Sequence, residues 1–176
     1  MNSSRRILFR SSSEIDLLKF IIIPEKFRSG LIKCRVIYSE EIESVEFSEY
    51  QIKKIDSLKI VECGDFIYDH KFLNRNKLDE LKRGNTKSDS QEILIIKNGL
   101  ITDTSYSNVA FYDGTKWFTP STPLLKGTKR ASLIDEGLLH EEEIRLKDLK
   151  KFSQLKLINA MIDLDESPAI NIQSVI

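Results

Sequence analysis

At 176 residues the chain has room for one ordinary domain or two small ones packed together. Hydrophobic residues make up 40% and charged residues 31%, the balance of a globular chain rather than a disordered one. Lys plus Arg and Asp plus Glu number 27 each, which leaves no basic excess to replace condensed counterions and argues against a broad nucleic-acid footprint.

The opening MNSSRRILFRSSS carries charge, but no apolar core or small-residue cleavage site follows, so it does not read as a signal peptide. The apolar run Phe20 to Ile23 is far too short to span a bilayer. Cys34 and Cys63 stand apart without metal-ligand spacing, which predicts reduced thiols. The expectation is a cytoplasmic protein with no membrane, metal or nucleic-acid partner. In LIKCRVIYS (31–39), Ile32, Cys34, Val36 and Tyr38 share one face and Lys33, Arg35 and Ile37 the other, the period of a strand. EIESVEFSEY (41–50) predicts a second strand and SLKIVEC (57–63) a short third.

HKFLNRNKLDELKRG (70–84) reads as a helix, with Leu73, Leu78 and Leu81 on a partly apolar side and Gly84 as its stop. After a loop at 84–91, EILIIKNGLITDT sets Asn98-Gly99 between two apolar runs, a strong hairpin signal, and NVAFYDGTKWFTP does the same with Asp113-Gly114. KRASLIDEGLL (129–139) predicts a helix, DLKKFSQ a helix start, LKLINAM a buried strand, and INIQSVI a closing strand. Strands and hairpins with a few helices between them make an α+β fold.

Four segments set polar groups beside apolar runs. Lys71 would be a nucleophile toward carbonyls in a desolvated setting, although a solvated helix lysine is the plainer reading. Asp103 is either an exposed turn residue or a carboxylate that holds a positive ligand atom. Gly127-Thr128 before a helix, with Lys129 and Arg130, is either plain capping or a phosphate seat. Asn159 interrupts an apolar strand and could donate to an anion.

Taken in this order, the four segments resemble the class IV aminotransferases, pyridoxal-phosphate enzymes of fold type IV. Within that family, Lys71-Phe72-Leu73-Asn74-Arg75 is most similar to the Lys-x-Leu-Asn-Arg stretch of the 4-amino-4-deoxychorismate lyases, which make p-aminobenzoate for folate synthesis. The resemblance runs from about residue 30 to residue 162. It implies a D-amino acid aminotransferase-like fold, with a small N-terminal α/β domain (1–49) and a larger strand-rich pseudo-barrel domain (50–176).

The resemblance further implies that Lys71 carries the covalent link to pyridoxal 5'-phosphate and that Asp103 pairs with the pyridine nitrogen. Ser107-Asn108-Val109 matches the family's continuation and places Asn108 among the cofactor residues. Leu125 would lie under the ring. Gly127, Thr128 and Lys129 would receive the phosphate, with Asn159 and Ala160 as the second phosphate turn. Arg75 falls near the ring hydroxyl, and Arg35 or Lys33 would hold a substrate carboxylate. A homodimer acting on a small molecule is implied.

The sequence departs from the family pattern twice. Asp103 is one methylene shorter than the usual glutamate, so the ring contact calls for a closer backbone or a bridging water. The family's first hairpin and its His-x-x-Arg segment have no match, so the N-terminus looks shortened, with Arg5 and Arg6 as candidate substitutes. Three readings follow: a 4-amino-4-deoxychorismate lyase, a class IV aminotransferase of branched-chain or D-amino acids, or a truncated, non-catalytic dimeric relative.

Overall fold

The computed structural model describes residues 1–176, and the chain divides into two compact units, Met1–Gln51 and Ile52–Ile176. In the first unit, helix α1 (Asn2–Phe9) precedes an antiparallel hairpin of β1 (Ile32–Tyr38) and β2 (Ile42–Glu49). Arg5 is the one fully buried residue of this unit, at 1% exposure. Its guanidinium donates to the carbonyls of Ser13 and Glu40 and to the side chains of Asn2, Ser11 and Ser13. Every N–H direction of that guanidinium is thereby used within the unit, so Arg5 serves as a structural tie rather than as the substitute phosphate ligand considered above.

The second unit holds the apolar core. β3 (Ser57–Glu62) runs parallel to β4 (Gln91–Lys97), which pairs antiparallel with β5 (Leu100–Ile101). A parallel pair requires a long crossover, and residues 63–90 supply it, including α2 (Asn76–Arg83). Glu92 through Ile96 are all buried, as expected for a strand covered on both faces. Ile93 and Ile95 pack with Val61, Tyr68 and Leu78 on the α2 side. Leu94 and Ile96 point the other way, onto Leu58, Val109, Phe111, Leu155 and Leu157. Burial on both faces contributes about 1.5–3 kcal/mol for each of these side chains. Asn98 and Gly99 both take positive φ, 53° and 73°, which is the backbone a two-residue primed turn demands.

The opposing sheet has the order β10 (Ile170–Asn171), β9 (Gln154–Ile158), β6 (Asn108–Tyr112), β7 (Trp117–Pro120), β8 (His140–Glu142). Helix α3 (Thr128–Asp135) covers its outer face through Leu133, which packs on Ala110 and Ile158. Both hairpins expected from the Asn-Gly and Asp-Gly pairs are present.

Two expectations need correction. The helix does not span 70–84: it starts at Asn76, because Asn74 Oδ1 accepts the Asn76 N–H at 3.0 Å and turns the chain there. INIQSVI is not one strand: after β10 it makes a 3₁₀ turn, and then Ile176 exchanges hydrogen bonds with Leu58 and Ile60 of β3. No helix is long and apolar enough to cross a membrane.

Candidate active site

Lys71 lies in irregular chain before α2, not on the helix. Phe72 N–H donates to the His70 carbonyl at 2.9 Å, so Lys71 is the middle residue of a three-residue turn. Lys71 itself is exposed. The segment rests on an aromatic group: Tyr68 stacks on Phe66, meets Phe72 edge-on, and donates to the Phe72 carbonyl at 3.4 Å. Leu124 and Leu125 pack against the same cluster, which also holds Ile93 and Ile95 of β4.

The turn 103–108 comes next. Asp103 is buried, at 4% exposure. Asn108 Nδ2 donates to its Oδ1 at 2.7 Å and the Leu125 N–H to its Oδ2 at 2.9 Å. Burial pushes the Asp103 carboxyl from its ordinary 3.8 up to about 6, against the opposing pull of these donors and of the Arg130 charge. A carboxyl with that affinity for a proton is suited to sharing one with a heterocyclic nitrogen.

The segments are tied to one another. Arg75 Nη2 donates to the Ser105 carbonyl at 2.6 Å, which joins the Lys71 segment to the Asp103 turn. The bonds to Leu125 join that turn to the loop before α3. Asn159 Nδ2 donates to Ser107 Oγ at 3.0 Å, and the Met161 N–H to Asn159 Oδ1 at 2.8 Å. Lys129 Nζ meets Asp163 Oδ2 at 2.5 Å, closing the set between α3 and the turn after β9. All four segments singled out in the sequence therefore form one bonded cluster.

The groups present suit an anionic cofactor. α3 begins at Gly127–Thr128 with no side chain capping it, so its first N–H groups face outward at the positive end of the helix dipole. The Nε–H of Arg75 is buried without a protein acceptor, as is that of Arg130. Thr128 and Ala160 are exposed. Lys33 and Arg35 belong to the first unit, where both are exposed on β1 and Arg35 pairs with Glu46 at 3.4 Å. No group of three or more His, Cys, Asp or Glu side chains is placed to hold a metal ion.

Sequence reading missed Glu92 and Lys82. Glu92 is wholly buried: its Oε2 meets Lys82 Nζ at 2.7 Å, while its Oε1 accepts from the N–H groups of Ile93 and Ser105. Both ends of α2 thus reach the Ser105 peptide, Arg75 directly at the carbonyl and Lys82 through Glu92 at the N–H. The available signal was a carboxylate opening the apolar run EILII, which demands a partner once that run is buried.

The chain is similar in sequence and in fold to known proteins. A family model described as amino-transferase class IV matches residues 33–164. An uncharacterized protein of Haemophilus influenzae is 39% identical over 146 residues, covering 83% of this chain and 77% of that protein. A crystal structure from Haemophilus somnus, named as a candidate 4-amino-4-deoxychorismate lyase, superposes with a TM-score of 0.81 at 33% identity, covering 93% of this chain and 86% of that one. A hypothetical aminotransferase from Mycobacterium tuberculosis, in a PLP-bound form, shares the fold at TM-score 0.61 and 17% identity, over 82% of this chain and 60% of its own.

Proposed function

Since this chain belongs to the class IV aminotransferase family of pyridoxal-phosphate enzymes, we propose that it is a 4-amino-4-deoxychorismate lyase, releasing p-aminobenzoate and pyruvate. The observation that carries the reading is the set of hydrogen bonds and ion pairs that ties the Lys71 segment to the 103–108 turn, that turn to Leu125 and to Asn159, and α3 to Asp163 after β9. It gathers the Lys71 segment, a buried carboxyl and an uncapped helix start into one cluster. The Lys-x-Leu-Asn-Arg stretch at Lys71 and the likeness to the H. somnus protein favour the lyase within the family.

In this reading Lys71 Nζ would hold the cofactor covalently and would move the proton at the substrate Cα as general base and then acid. Asp103 keeps the pyridine nitrogen protonated. Thr128, Lys129, Gly127 and Asn159 receive the phosphate, and Leu125 supports the ring. When bound, pyridoxal phosphate supplies an electron sink for the carbanion formed at Cα. Arg75 steadies the Lys71 segment through Ser105. The working form is a cytoplasmic homodimer.

The test starts with purified protein mixed with pyridoxal phosphate. A visible absorbance band that vanishes in Lys71→Ala is expected, followed by pyruvate release from 4-amino-4-deoxychorismate without any keto acid. A band that survives Lys71→Ala would overturn the assignment of the lysine. Turnover strictly dependent on a keto acid would replace the lyase by a transaminase.

A further inference from the structure

Family likeness makes Asn108 a cofactor contact, but its amide is fully engaged elsewhere. An Nδ2 amide carries two hydrogens. One goes to Asp103 Oδ1 at 2.7 Å and the other to the Leu125 carbonyl at 2.9 Å. An anion is bound by donors, and Asn108 has none left to offer.

The Leu125 peptide is meanwhile held on both sides: its carbonyl accepts from Asn108, and its N–H donates to Asp103 Oδ2 at 2.9 Å. Three hydrogen bonds therefore close a ring through Asp103, Asn108 and Leu125. The base of that ring is rigid, because Asn108 pairs with Ile158 in the β6–β9 ladder and bridges Asp103 across the turn. The other side of the amide fixes the chain as well. A Cβ at Gly127 would stand 2.1 Å from Asn108 Oδ1 and 3.3 Å from its Cγ, so only a glycine passes the amide on the way into α3.

We propose that Asn108 is a positioning residue, one that latches Leu125 to Asp103 and thereby couples the carboxyl end of the site to the start of α3. The latch itself is a property of the bare chain. Its consequence for the cofactor rests on the function proposed above: loosening Leu125 would disturb the helix start that receives the phosphate, with no ligand touching Asn108.

Hydrogen exchange on the full chain, dialysed free of small molecules, separates this role from a direct contact. Asn108→Ala is expected to speed exchange of the Leu125 amide about tenfold or more, while the β4 amides keep their protection. Unchanged exchange at Leu125 would overturn the latch. Should Asn108→Ala fail to fold, Asp103→Asn carries the same test: it is isosteric, but offers one acceptor oxygen where two donors now converge, so Leu125 exchange should again rise. Titration with pyridoxal phosphate is then expected to show weaker binding in Asn108→Ala than in wild type. If wild-type protein binds no pyridoxal phosphate, the proposed function fails and the exchange result still decides the latch.

Discussion

Asp103 gives the sharpest handle on energetics. Replacing it with asparagine keeps its shape and removes its charge. In the folded chain its carboxyl binds a proton more tightly than in the unfolded chain, at about 6 instead of 3.8, chiefly because it is buried. Moving a carboxyl across that span corresponds to about 3 kcal/mol. Below 3.8 the group is protonated in both states, so the stability linked to it is fully present there. As pH rises through about 6 that contribution is lost, because the folded state must then hold a buried anion. Asp103→Asn has no such dependence. Urea unfolding of both proteins from about pH 4 to about pH 7.5 should therefore show their stability difference moving by about 2.5 kcal/mol in favour of the variant. All other titrating groups are common to the two proteins and cancel to first order. Parallel curves, with a difference constant to about 0.5 kcal/mol, would refute the claim that Asp103 is a charge held against its preference.

Three further outcomes are expected. Lys82→Met strands the wholly buried Glu92 and should cost about 3 kcal/mol in urea unfolding, with much of it recovered in Lys82→Met/Glu92→Met. Gly127→Ala drives a Cβ into Asn108 Oδ1 and should lower stability by about 1–3 kcal/mol, a drop that thermal melts would register. Arg5→Ala removes the polar tie between α1 and Glu40; proteolysis within residues 10–31 should accelerate, the cleavage sites being read by mass spectrometry.

The strand framework was legible because its signals are local. Alternation in 31–39 and the Asn-Gly and Asp-Gly pairs each fix a backbone choice within a few residues, and β1, β4–β5 and β6–β7 follow them. Lys71 was legible as chemistry but not as structure: its leucines carry a helical period, yet the Asn74 side chain captures the Asn76 N–H and delays the helix. The bonds that assemble the site join residues 17 to 52 positions apart, such as Leu125 with Asn108 and Asn159 with Ser107, and no periodicity reports them. Glu92 escaped notice for the same reason, since its partner lies on a helix whose docking is a tertiary event. Asn108 was legible by likeness only as a residue type, because a motif does not say which neighbours take its hydrogens, here Asp103 and Leu125.

The first unit has a thermal consequence that follows from Arg5 alone. Heat capacity rises on unfolding in proportion to the apolar surface newly wetted, and polar surface subtracts from it. A unit whose one fully buried side chain is a guanidinium bonded to carbonyls and hydroxyls wets little new hydrocarbon when it melts. Its stability should change with temperature along a line of little curvature, while the second unit, built on Leu94, Phe111 and Leu155, follows a pronounced dome. Chilling below the top of that dome would weaken the second unit while the first went on gaining stability, so the two units carry separate thermometers.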